Sequence, residues 1–196
     1  MISLNVMLGI FIVLFALAGA MRGWAKEMLV TFSVILAMFT LSVMESFMPF
    51  FKEALETMTP ESVFFMKSGI LAVLVFAGYQ TPKIPRLAAS ERFLRHLLQD
   101  TLLGFILGGI NGYLVFGTLW HYLNAAGYPF SFVSAPDALT QTGQAALRWI
   151  AYLPPEWLMT TPAIYIAVAV CFVFVLVVLI DRKSTRLNSS HRIRYR

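Results

Sequence analysis

Two groups of charged and small residues stand out in an otherwise apolar chain. The first is a six-residue turn between two uncharged stretches, in which Arg22, Gly23, Lys26 and Glu27 could form ion pairs. Arg22 and Glu27 could pair with each other or with a basic stretch farther along the chain. The preference of cytoplasmic loops for Lys and Arg explains the basic residues of this turn but does not explain Glu27. The turn is therefore a candidate functional site.

The second group begins at Asp100 and continues with glycines at every fourth position. Gly104, Gly108 and Gly112 form one stripe on a helix, and Asn111 lies three residues from Gly108 on the same side. A stripe of glycines lets another helix backbone approach closely, so it is a helix-association face. It could pack against another span of this chain, or it could join two copies of the protein. Buried in such a face, Asn111 should find a hydrogen-bond partner.

Asp100 has two possible roles. As the residue immediately before a helix it would be the N-cap, with its carboxylate accepting hydrogen bonds from the first-turn amides. The alternative is a role in transport or gating. An ion-flux measurement on the Asp100→Asn variant separates the two roles.

Residue patterns of known catalytic sites are absent from the sequence. There is no HExxH, G-x-S-x-G, CxxC or P-loop motif. Lys67 lies four residues inside its span and can extend to the interface, and His121 lies near the outer end of another span. The single Cys171 lies among valine and phenylalanine. We therefore predict a protein that is not an enzyme and that holds no cofactor or metal.

The composition decides which class of protein positions these groups. Of 196 residues, 59% are hydrophobic and 13% are charged, against about 25% charged residues in an average soluble domain. This ratio excludes a water-soluble globule and a disordered chain, and a single cysteine excludes a disulfide-stapled fold. We predict an all-α, polytopic membrane helical bundle with about five transmembrane helices and the lipid bilayer as its main partner.

The net charge of +5 does not indicate a nucleic-acid partner. Residues 181–196 carry six of the fifteen basic residues and one of the ten acidic residues, so residues 1–180 are neutral overall. Residues 181–191 can moreover be encoded, in one frame, by a widely used sequencing-library adapter. We expect residues 181–196 to be non-native read-through; the alternative is a basic segment beside the membrane.

Five stretches are apolar over roughly the 20 residues that a membrane-spanning helix needs. They cover residues 2–20, 28–44, 63–79, 101–127 and 163–180. Residues 1–127 would form a four-span membrane domain, residues 128–162 an outer loop with interfacial aromatic side chains, and residues 163–180 a fifth span. Short amphipathic helices are expected along the membrane surfaces within residues 45–62 and 83–99.

Basic residues in the short loops predict the orientation, because cytoplasmic loops retain Lys and Arg. Six lie in the loops after the first and third spans, namely Arg22, Lys26, Lys83, Arg86, Arg92 and Arg95. Three lie on the other side, namely Lys52, Lys67 and Arg148. The N-terminus is therefore expected outside the cell membrane, with both basic loops inside.

The two motifs together resemble the colicin V production protein family over roughly residues 1–125. Members have Arg-Gly, two residues, a basic residue and Glu between the first two spans, which matches Arg22, Gly23, Lys26 and Glu27. Members also have Asp, two residues, Leu-Gly and further glycines at every fourth position, which matches Asp100, Leu103, Gly104, Gly108 and Gly112. The chain departs from the family at Asn5, often Asp there, at Asn111, often Arg there, and in its fifth span.

The resemblance implies a bacterial inner-membrane protein linked to bacteriocin secretion or envelope maintenance, without an assigned enzymatic activity. We expect it to self-associate through the glycine stripe or to bind other membrane proteins. A small channel or transporter for an unidentified solute is the alternative. Paired midplane carboxylates and an inverted repeat, which would favour transport, are not evident in the sequence.

Overall fold

A computed structural model describes residues 3–80 and 93–176, and within these ranges the chain is helical without strands. The helices in chain order are α1 (Leu4–Arg22), α2 (Trp24–Phe47), α3 (Pro49–Thr57), α4 (Pro60–Tyr79), α5 (Phe93–Ala125), α6 (Gln141–Ile150), α7 (Pro154–Leu158) and α8 (Ala163–Leu176). The predicted all-α fold class is confirmed.

Helices α1, α2, α4 and the Leu97–Ala125 part of α5 are each long and apolar enough to cross a membrane. The segment Gln141–Leu158 and helix α8 pass the same test only as a pair, bent by 60°. The described chain thus has four or five candidate spans, which indicate a multi-pass membrane protein. Residues 83–92 of the predicted inner amphipathic stretch, the end of the predicted fifth span and the predicted read-through at 181–196 lie outside the described residues.

Helix α2 is the centre of the bundle. Five of its side chains have no exposed surface: Val30, Val34, Ala37, Met38 and Leu41. Their spacing of three and four residues places them along one stripe of the helix. They pack in one apolar cluster with residues of α4 and α5, including Leu71, Val75, Leu114 and Tyr122.

Helix α3 is the expected amphipathic helix between the second and third spans. It begins at Pro49, where a proline lacks the N–H needed to continue α2, and Met48 between the two helices is extended. Phe51 is 8% exposed and packs into the bundle, whereas the neighbouring Phe50 is 84% exposed. This arrangement suits a helix that lies along a membrane surface.

Helix α5 begins earlier than predicted. It starts at Phe93, so the prediction that Asp100 is the N-cap of this helix is wrong. No proline or glycine occurs between residues 93 and 103, so nothing in the sequence interrupts the helix there. Residues 93–99, predicted as part of a surface helix, and the following span form one continuous helix.

Candidate functional site

The glycine stripe of α5 packs against α1 of the same chain. Gly104 and Gly108 face Gly19, and Gly108 and Gly112 face Phe15, so the two helices run antiparallel. A Cβ atom on Gly108 would overlap the carbonyl oxygen of Phe15 and would lie 2.9 Å from the Cα of Gly19. The two backbones are therefore in direct contact, which requires glycine at these positions.

This contact confirms the intramolecular interpretation of the stripe. Because α1 covers Gly104 and Gly108, a second copy of the protein could reach them only by displacing α1. Self-association through the stripe stays a prediction, and from this arrangement it would require displacement of α1.

A single residue, Gly23, connects α1 to α2. Its φ of 85° lies in the left-handed region that favours glycine. A Cβ atom there would lie 2.7 Å from both carboxylate oxygens of Asp100. Asp100 Oδ1 accepts a hydrogen bond of 3.0 Å from the backbone N–H of Trp24, the first residue of α2. Asp100 is thus a helix cap, but it caps α2 from another helix.

Glu27 lies in the first turn of α2 with 1% of its side chain exposed. Its Oε1 accepts a hydrogen bond of 2.9 Å from Nη1 of Arg22, and its Oε2 accepts one of 2.8 Å from Nδ2 of Asn111. Both oxygens are paired, which offsets the desolvation of a buried carboxylate. The structure thus shows the predicted pairing of Arg22 with Glu27. Most of the alternative partner, the basic stretch at residues 83–99, lies outside the described residues.

Asn111 is fully buried and hydrogen-bonded through both ends of its amide. Its Nδ2 also donates to the carbonyl oxygen of Glu27 at 3.0 Å, and its Oδ1 accepts from Oγ1 of Thr31 at 2.7 Å. Three residues beyond Gly108, Asn111 lies about 60° away from Gly108 around the axis of α5, and its hydrogen bonds join α5 to α2 instead of α1. The prediction that Asn111 finds a partner is confirmed. Thr31 is a further member of the site, and no motif in the sequence indicates it.

Arg22 also connects the site to α4. Its Nη2 donates to the carbonyl oxygen of Tyr79 at 3.5 Å, and its guanidinium carbon lies 4.1 Å from the centroid of the Tyr79 ring. Lys26, in contrast, is half-buried and forms no ion pair with any residue that the structure describes. We call Arg22, Glu27, Thr31 and Asn111 the turn cluster.

A second polar cluster lies at the other end of α2, about 27 Å along the helix axis from Glu27. Glu45 Oε1 is 2.8 Å from Nζ of Lys67, and His121 Nδ1 is 3.0 Å from Glu156 Oε1. We call Glu45, Lys67, His121 and Glu156 the far cluster. The positions of Lys67 and His121 in the sequence predict that both lie near the interface. Their acidic partners, Glu45 and Glu156, are not identifiable from spacing, although a basic residue within a span indicates that an acidic partner exists.

The described residues include no metal-binding arrangement of three or more His, Cys, Asp or Glu side chains. The chemistry available at the turn cluster is instead that of a buried ion pair with amide and hydroxyl partners. Such a cluster can hold helices together, and a carboxylate within it can also bind a proton or a cation if its partners move.

The two motifs that carry the resemblance to colicin V production proteins meet at the α1–α2 turn, where Glu27 contacts Asn111 and Gly23 contacts Asp100. Comparison with protein-family models, with curated proteins and with solved structures finds no significant match to this chain. The family assignment is therefore a proposal that rests on the residues of these two motifs.

Proposed function

We propose that this chain is a bacterial inner-membrane protein similar to colicin V production proteins, with an accessory role in bacteriocin secretion or envelope maintenance. The observation that carries the proposal is the hydrogen bond of 2.8 Å between Glu27 and Asn111, which are 84 positions apart in the chain. Through this contact, the charged turn and the glycine-rich helix form one site. Two weak sequence motifs that share one buried site are a stronger sign of a common function than either motif alone.

The surroundings of Glu27 favour this role over catalysis. A general base must reach the proton of a substrate, whereas the Glu27 carboxylate is 1% exposed and both of its oxygens are already paired. The same pairing joins α1, α2 and α5 at one point. The site therefore suits a protein whose function depends on a fixed arrangement of helices, and we propose that it is not an enzyme.

In this proposal, the N-terminus and the far cluster lie outside the cytoplasm, and the α1–α2 turn lies inside, because Arg22 and Lys26 belong to that turn. Single cysteines at two exposed positions test the orientation in a Cys171→Ala background. A membrane-impermeant maleimide should label S134C in intact spheroplasts and A25C only after permeabilisation. The reverse pattern would contradict the orientation.

Complementation tests the accessory role. The chain should restore colicin V secretion and envelope integrity in a bacterium that lacks its own colicin V production protein. The E27Q variant should lose this activity, whereas E53Q, the same substitution at an exposed residue of α3 outside both motifs, should keep it. Failure of the wild-type chain to restore either property, despite normal membrane insertion, would contradict the proposal.

A channel or transporter is the second candidate, and the burial of Glu27 within a membrane-spanning helix favours it. Ionisable side chains inside a membrane commonly mark pathways for ions or protons. Ion flux through purified protein in liposomes, abolished in both E27Q and D100N, would support transport over an accessory role. Liposomes that contain the wild-type protein and show no flux above empty liposomes would argue against transport.

A further inference from the structure

Fixed charges in the far cluster do not balance unless His121 carries a proton. Glu45 and Glu156 each contribute a negative charge, and Lys67 contributes one positive charge. Lys67 is paired with Glu45 at 2.8 Å, so the Glu156 carboxylate, 3.0 Å from His121 Nδ1, lacks an opposite charge while the imidazole is neutral. Protonation of His121 completes a second ion pair.

His121 is surrounded by charges from three other helices. Glu45 of α2, Lys67 of α4 and Glu156 of α7 all act on it electrostatically, and the Tyr122 ring is its neighbour at 6.0 Å between centroids. Of these three charges, Glu156 acts most strongly on His121, and Lys67 acts in the opposite sense. The side chain of His121 is 25% exposed overall, but its Nδ1 atom, which faces Glu156, is buried and forms no hydrogen bond with the described residues. A proton on His121 would give this buried nitrogen a charged partner in the Glu156 carboxylate.

Two further contacts between α7 and α5, both among the described residues, are uncharged. Pro154 lies directly over Gly117, where a Cβ atom would be 3.0 Å from the proline Cγ. Nε1 of Trp157 donates a hydrogen bond of 3.2 Å to the hydroxyl of Tyr113. Among the described residues, the pair formed by His121 and Glu156 is thus the contact between these helices whose charge depends on the protonation of a histidine.

We propose that the far cluster is a proton-binding site, in which a proton on His121 completes the ion pair with Glu156 and fastens α7 to α5. Helix α7 immediately precedes the 60° bend that leads into α8. A proton bound here therefore fixes the base of that bend. The proton comes from the aqueous phase on the side of the membrane where α6 and α7 lie.

Hydrogen exchange of the full chain in lipid nanodiscs tests this proposal at about pH 5 and about pH 8, the range in which histidine ordinarily changes charge. The reporters are the backbone amides of Leu153, Glu156 and Met159, which are hydrogen-bonded in and beside α7. After correction for intrinsic exchange rates, their protection should be about twofold to fivefold higher at the lower pH, as for a partly exposed ion pair.

The variants H121Q and E156Q should both abolish this difference. Y113F, which removes an uncharged contact of α7, should lower protection at both pH values and preserve the difference. If H121Q does not fold, E156Q alone decides the test, because Glu156 is 42% exposed and tolerates an amide. Equal or lower protection at about pH 5 in the wild type, or a difference that persists in E156Q, would overturn the proposal.

Discussion

The two polar clusters differ in how completely their groups are buried and paired. In the turn cluster, Glu27 and Asn111 are 1% and 0% exposed. Both carboxylate oxygens of Glu27, and both the nitrogen and the oxygen of the Asn111 amide, are hydrogen-bonded. In the far cluster, Glu156 is 42% exposed, and the nearby hydroxyl of Tyr122 is buried without a hydrogen-bond partner among the described residues. Complete pairing in a buried site fixes one geometry, whereas partial exposure leaves room for a change of protonation.

The backbone is also more tightly packed beside the turn cluster than beside the far cluster. Beside the turn cluster, α1 and α5 touch through Gly19, Gly104 and Gly108, so neither helix can shift without a clash. Beside the far cluster, α7 has only five residues and is followed by a bend. We therefore expect substitutions near the turn cluster to affect stability more than substitutions in the far cluster.

The largest effect is expected for Gly108→Ala. The added methyl group would overlap the carbonyl oxygen of Phe15, so α1 and α5 must separate, and the free energy of unfolding should fall by about 3 kcal/mol. Unfolding in mixed detergent micelles, followed by circular dichroism, measures this change. Gly69→Ala is the matched control, because no atom lies within 4 Å of its Cβ position. Equal stability of the two variants would contradict the direct backbone contact.

A smaller loss is expected for Asn111→Leu. This change removes the hydrogen-bond donor of Glu27 Oε2 inside the bundle. The free energy of unfolding should therefore fall by about 2 kcal/mol. Leucine at the neighbouring Ile110, which is 42% exposed, should change stability little. In the E27Q/N111L double variant, the loss should be smaller than the sum of the single losses, because the two residues share an interaction. An additive double variant would show that the contact is energetically irrelevant.

Hydropathy and small-residue spacing predicted much of the fold and the site. Four spans were located because a membrane helix needs about 20 apolar residues, and such runs are easily recognised in a sequence. The pairing of Arg22 with Glu27 was foreseeable because the two residues flank a short turn. The helix that packs against the glycine stripe could not be predicted, because a face of small residues accepts any closely packed helix. Helix α1 has two glycines, Gly9 and Gly19, and only the packing of the helices shows that Gly19 is the one that meets the stripe.

The misplaced start of α5 has a different cause. Hydropathy locates the apolar part of a helix but not a polar extension, so residues 93–99 and the span were predicted as separate elements. That boundary made Asp100 an N-cap of α5. Its true partner, Trp24 of α2, is 76 positions away, and such a contact depends on tertiary packing.

For Asp100→Ala, we expect a loss of about 1 kcal/mol, the usual effect of removing a helix cap. The N–H of Trp24 would lose its acceptor, while the space beside Gly23 would increase. Gln99→Ala, at the exposed preceding residue, is the control. Exchange of the Trp24 amide should accelerate in D100A alone, and unchanged exchange would show that the carboxylate does not cap α2.

The smallest effect is expected in the far cluster, for Glu45→Gln. Its partner Lys67 is 18% exposed and Glu45 itself is 33% exposed, so water replaces part of the lost interaction. The loss should be about 0.5 kcal/mol, within the range of partly exposed ion pairs. Glu53→Gln on the exposed face of α3 should change stability still less. If E45Q destabilised the protein as much as N111L does, the far cluster would be as tightly coupled to folding as the turn cluster, and the contrast between a fixed and a responsive site would be lost.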